Sequence, residues 1–153
     1  MRAMIPLLLA SVSLSAAWAG DSMIDCRLRE SVSIMGENAV PNTPSPIERG
    51  VRQLLVDGAM EGQEAEVAKA FAEAFALLGR PQAVEEIATR LYGSRSEIAY
   101  FVIPCVRGPA FVRVTSLKRG ENQRVIGSLT IAVRPEVVLP PDLLSPDQSQ
   151  RQR

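Results

Sequence analysis

Any chemistry in this chain has to come from carboxylates, arginines, two lysines and two cysteines, because the sequence contains no histidine. That absence removes the Ser-His-Asp and Cys-His nucleophiles. A Ser-Lys dyad would need Lys69 or Lys118, and the pattern puts the first on a wet helix face and the second in a turn. Paired carboxylates occur at Glu64/Glu66 and Glu85/Glu86. Glycoside hydrolysis needs two carboxyls across a cleft, usually with aromatic walls. Near neighbours on a helix surface read instead as a solvated face. Gly93-Ser94-Arg95-Ser96 lacks the glycine spacing and the lysine of a phosphate loop, and the acids follow no calcium-loop pattern. No catalytic residue, metal ligand or cofactor is expected, and a hydrolase with diffuse signatures ranks third among the readings.

The two thiols, Cys26 and Cys105, have neither a C-x-x-C spacing nor a histidine partner, which argues against zinc and thiol-redox chemistry. Their meaning depends on compartment. The chain opens with a lone Arg2, an apolar run from Ile5 to Leu14, and the small-residue exit Ala17-Trp18-Ala19 before Gly20-Asp21-Ser22. This is the layout of a secretory signal peptide, with cleavage expected between Ala19 and Gly20. The run is short for a membrane span and is broken by Pro6 and serines, so no stable membrane insertion is expected after cleavage. A periplasmic or secreted location follows, and in an oxidising compartment two cysteines read first as one disulfide, Cys26–Cys105.

The elements that would position these groups follow from periodicity. Residues 20 to 134 fit a single domain. Ile24, Cys26, Leu28, Val32 and Ile34 alternate with polar residues, which reads as a half-buried strand. Glu30 falls on the apolar side of that strand, and a short helix through Ile24, Leu28 and Met35 is the alternative. Ser45-Pro46-Ile47-Glu48 is a capping box with proline at the first helical position. It predicts a helix with Ile47, Val51, Leu54 and Leu55 inward, ending at Gly58. A second helix is predicted from Gln63 to Leu78 with Val67, Phe71, Phe75 and Leu78 as its stripe, closed by Gly79. A third is predicted from Pro81 to Gly93 with Val84, Ile87, Ala88 and Leu91 inward.

After Ser94 the period changes to two. Ile98 to Pro104, Ala110 to Leu117 and Asn122 to Val133 read as a three-stranded antiparallel meander turning at Val106-Arg107-Gly108-Pro109 and near Arg119-Gly120. Pairing Cys105 with Ala110 and Leu117 with Asn122 gives one apolar face containing Phe101, Ile103, Cys105, Val112, Val114, Val125, Leu129 and Ile131. Both thiols would then lie on apolar faces, which supports the disulfide. Residues 135 to 153 hold Pro140-Pro141, Pro146 and a Gln/Arg-rich end, and read as a poorly ordered tail. Val137 to Leu139 and Leu143-Leu144 could pack back on the domain or engage a partner.

The expected architecture is α+β, with three helices on one face of a three- to four-stranded antiparallel sheet. Net charge is zero, which argues against nucleic acid as a partner. The distribution is uneven: residues 101 to 153 carry eight bases against four acids, and residues 20 to 100 carry thirteen acids against eight bases. The second sheet face mixes arginine with aromatic and apolar groups, a composition that protein interfaces enrich. Tyr100, Val102, Phe111, Arg113 and Arg124 lie on it, with Arg107, Lys118 and Arg119 in the turns at its ends. The leading reading is therefore an exported, non-catalytic protein that binds another exported or envelope protein, as an accessory factor, inhibitor or immunity-type protein. A small-ligand or envelope-polymer binder with a pocket beside the sheet is the alternative.

Overall fold

The structure, a computed structural model, describes residues 23–120 and 123–144. The leader and its cleavage point, and the tail from residue 145 onward, lie outside the described residues. The described residues form three long helices, α1 (Met23–Met35), α2 (Pro46–Leu55) and α3 (Glu64–Leu78). Strands β1 (Glu85–Tyr92), β2 (Ser96–Cys105), β3 (Gly108–Lys118) and β4 (Arg124–Ala132) follow. Two single-turn helices, α4 (Pro135–Val138) and α5 (Pro141–Leu144), come last. The strands make one antiparallel sheet in the order β1-β2-β3-β4, so the fold is α+β in a single domain.

The first helix replaces the strand that the alternation suggested. Ile24, Leu28, Ser31, Val32 and Met35 are buried, at spacings of one helical face. The charged residue decides between the two periods. A strand would bury Glu30, whereas the helix exposes it and turns the small Ser31 inward. Ser31 and Met35 meet α2 at Gly50, where an added Cβ would lie 2.5 Å from the Ser31 carbonyl oxygen. Glycine costs about 1 kcal/mol in a helix interior, and its presence at this position lets the two helices approach.

The second helix begins as its sequence dictates. Ser45 Oγ accepts from the Glu48 N–H at 3.2 Å, and Glu48 Oε2 accepts from the Ser45 N–H at 2.9 Å. The third helix ends at Gly79, whose φ of +83° is left-handed and whose N–H donates to Phe75 O at 2.8 Å. Phe71 and Phe75 pack with ring centroids 5.7 Å apart. Together with Val67, Leu54, Leu55, Leu28 and the sheet residues Phe101, Ile103, Val112 and Val114, they form the main core.

Residues 81 to 92 correct the third helix. Pro81 makes an isolated bridge to Cys105, Gln82 N–H donates to Pro104 O, and Glu85–Tyr92 pairs with β2 as an edge strand. Of the four residues expected inside, only Val84 is fully buried, while Leu91 is 69% exposed. The physical reason is the hairpin: Gly93, with φ +65°, turns one β-rich run back on another. The gain of a fourth strand outweighs the local helical pattern.

The meander forms with small changes of register. Cys105 pairs with Gly108 and Ile103 with Ala110, two residues from the expected pairing, so the faces of β2 and β3 are as anticipated. In β4 they are not. Thr115 pairs with Ser128 but Ser116 with Ile126, so Gly127 is an extra residue and the strand carries a bulge. Before it, Arg124 and Ile126 face the helices; after it, Leu129 and Ile131 do. Val125 moves to the opposite face, and the sequence placed it among the helix-facing residues.

Candidate functional site

The second face of the sheet, opposite the three long helices, is where the sequence put the partner surface. A strap crosses it. From Pro135 to Leu144 the chain, expected as part of a poorly ordered tail, forms α4 and α5 and packs over the sheet. Val138 and Leu139 are buried with Tyr100, against Phe111, Ala132, Ala88 and Ile98. Three prolines within the strap, at 135, 140 and 141, lower the entropy lost on ordering it. Arg90 holds the far end by an ion pair with Asp142, and its guanidinium lies 5.9 Å from the Tyr100 ring centroid. The Arg90–Asp142 bond also holds the guanidinium above its ordinary pKa.

The candidate residues therefore separate into groups. Tyr100 is covered, and Phe111 is half-buried against the strap, so both belong to a small second core. Val102 is half-buried at the opposite end of the face from the basic turns. Arg107 is structural, because its Nη2 donates to Ala76 O at 2.7 Å and its N–H to Leu78 O at 2.7 Å. It thus satisfies free carbonyls at the end of α3. Arg124 is displaced by the Gly127 bulge to the helix-facing side, where it pairs with Glu97 at 3.2 Å and donates to Ser116 Oγ at 3.3 Å. Arg113 and Arg124, expected diagonally across one face, lie on opposite faces.

What remains uncovered is one half of the second face. Arg113 is half-buried and donates to Thr130 Oγ1 at 3.4 Å. Leu117 is 40% exposed, its side chain resting over the bulge glycine, and Ile98, packed against the strap cluster, borders this half. At this end two hairpin turns meet, since the Lys118 N–H donates to Arg95 O at 2.7 Å. Arg95, Lys118 and Arg119 are exposed at this turn end, with Lys118 opposite Arg124. The sequence pointed to Arg113, Lys118 and Arg119. It missed Arg95, Ile98 and Leu117, although strand parity and the two turns carried that signal.

The thiols are not bonded to each other. Cys26 is exposed on α1 and Cys105 is buried at the end of β2, its Sγ 3.4 Å from Ile103 O. The expected disulfide rested on the compartment and on residues 23–35 being a strand with Cys26 on its apolar face, and the second ground fails. On a helix Cys26 is rotated two positions, or about 200°, away from Ile24 and the core. Burial pushes the Cys105 thiol above its ordinary pKa.

No family model matches the chain, and neither a curated protein nor a solved structure does.

The carboxylates lie apart from this face. Glu85 and Glu86 are adjacent on β1, so they point to opposite sides, and Glu86 accepts from Thr89 at 2.8 Å. Glu64 and Glu66 are in the first turn of α3. Backbone hydrogen bonds from Glu64 and Gly62 hold the Glu64 carboxyl below its ordinary pKa, a helix-terminus effect. A cavity of about 330 Å³ lies between α1 and the α3–β1 connection, bounded by Arg29, Ser33, Arg80 and Gln82. Two further concavities of about 320 and 270 Å³ adjoin along the α3–β4 side. Among the described residues no helix is long and apolar enough to cross a membrane.

Proposed function

We propose that this is an exported, non-catalytic protein that acts by binding another exported or envelope protein, with the uncovered half of the second sheet face as its contact surface. One observation carries the reading. All three long helices pack on one side, the strap covers only part of the other, as far as Ile98, and Arg113 and Leu117 stay accessible beside the exposed turn cations Arg95, Lys118 and Arg119. An apolar centre with arginine inside a cationic rim suits a partner whose surface is acidic around an apolar patch. The leader layout at residues 2 to 20 supports export. The alternative, a small-ligand or polymer binder, is supported by the 330 Å³ cavity with Arg80 on its wall. That volume is at the lower end for ligand pockets, and Arg29 there already pairs with Asp25 at 2.9 Å. The protein-binding reading is the stronger of the two.

The test is capture from an envelope extract of the native host with Arg113→Glu/Lys118→Glu beside the unaltered protein. Loss of a specific captured protein is expected, with the unfolding midpoint moving by no more than about 3 °C. Equal capture by both would refute the surface. Saturable binding of a small anion in the Arg80 cavity, with no protein partner, would favour the alternative.

A further inference from the structure

We infer that the open edge of β4 pairs with β4 of a second copy of this chain. The inference does not depend on the partner surface above, which lies on a face of the sheet rather than at its edge. The outer edge of β4 is closed at Ile126, whose carbonyl accepts from the Ala59 N–H at 3.1 Å. From Ser128 to Ala132 no strand lies beyond it among the described residues, because β4 ends the sheet order. An unpaired edge of this kind is a template for another strand.

The edge is self-complementary about Thr130. Antiparallel pairing centred there sets Leu129 of one copy opposite Ile131 of the other, twice, on the helix-facing side. Both residues are only partly buried and line the two concavities between α3 and β4. Those concavities share Ala70 and Ile131, so the middle of the groove coincides with the two-fold axis. Charge agrees with the same axis. The groove has Glu66 at the end near Leu129, and Arg134 together with Glu73 at the other. A two-fold brings Glu66 of each copy towards the end of its mate that holds Arg134. Among the described residues the Arg134 side chain makes an exposed contact with Glu136 at 3.7 Å.

The helices fit as well. α3 packs on both β3 and β4, which puts its axis about 5 Å inside the seam when strands are about 4.8 Å apart. Two copies then place their α3 axes about 10 Å apart, the distance at which helices pack. The residues α3 presents there include the small Ala70 and Ala74, which leave room for that approach.

Sedimentation velocity on protein purified from its native host tests this. A dimer is expected at tens of micromolar. Ala70→Arg should give a monomer whose circular dichroism and unfolding midpoint match the unaltered protein. Arg134→Glu should raise the dimer dissociation constant by about tenfold, since each substitution alters two symmetric contacts, and adding Glu66→Arg should restore it. A monomer at every concentration, a dimer that persists in Ala70→Arg, or no rescue by the double charge exchange would overturn the proposal. Loss of dimer in Arg113→Glu/Lys118→Glu would also overturn it, by moving the self-contact to the other surface.

Discussion

Gly50→Val is expected to destabilise the protein by about 3 kcal/mol or more, because overpacking a close helix contact forces the backbones apart. The position tolerates no Cβ: one would lie 2.5 Å from Ser31 O and 2.5 Å from Met35 Cγ. The methionine end could move, but the Ser31 carbonyl is backbone in the middle of α1. Relief requires separating α1 from α2, which opens the core around Leu28, Val51 and Leu54. Urea unfolding followed by circular dichroism measures the effect, with Gln53→Val on the exposed side of the same helix as the reference. A fall in midpoint confined to Gly50→Val is expected. Equal, small changes in both variants would mean that the α1–α2 contact is looser than described.

Glu97→Ala carries the second large effect. Glu97 faces the helices at one end of the sheet with its side chain 9% exposed, paired to an Arg124 side chain that is 23% exposed. Its Oε2 takes the ion pair, while Oε1 has no partner among the described residues. Removing the carboxylate leaves a mostly buried guanidinium whose remaining side-chain partner among the described residues is Ser116 Oγ, at a cost of about 3 kcal/mol. The partial satisfaction of Glu97 has a further consequence. Replacing both groups together, as Glu97→Leu/Arg124→Met, should recover most of that loss, since a half-satisfied buried pair contributes little over well-packed apolar groups. Unfolding free energies of the two single variants and the double variant close the cycle. Additive losses in the double variant would contradict this view of the pair.

Much of the fold was legible because strong local signals agreed with the tertiary structure. The Ser45–Glu48 capping box, the stripe through Val67, Phe71 and Phe75, and Gly79 gave α2 and α3. Period-two alternation gave β2, β3 and most of β4. Two elements were exchanged in type. Residues 23–35 come close to both periods, and the burial of Asp25 and Ser31 with the exposure of Cys26 and Glu30 separates them. Residues 85–92 carry a helical stripe, yet β1 exists because its backbone pairs with β2, a non-local gain that no window of sequence displays.

The candidate site was legible in composition more than in placement. Arg113 lies where strand parity put it, and Lys118 and Arg119 lie at the turn where the sequence placed them, with Lys118 opposite Arg124. Arg124 does not, because a single inserted residue at Gly127 reverses parity for everything before it in β4. Arg107 was read as interface on charge alone, whereas its partner, the carbonyl end of α3, is distant in sequence. Arg90 was hidden by the helical reading of its strand, and with it the anchor of the strap that covers Tyr100.

Site-directed photocrosslinking in the native host decides whether the open half of the sheet meets another protein after export. A benzophenone side chain would be placed singly at Lys118, on the rim of the open sheet half, and at Gln53, on the exposed face of α2. One discrete protein adduct is expected from position 118 after irradiation, carrying this chain without its first nineteen residues, and none from position 53. An adduct from position 53 with none from 118, or no protein adduct from either, would contradict the proposed contact surface.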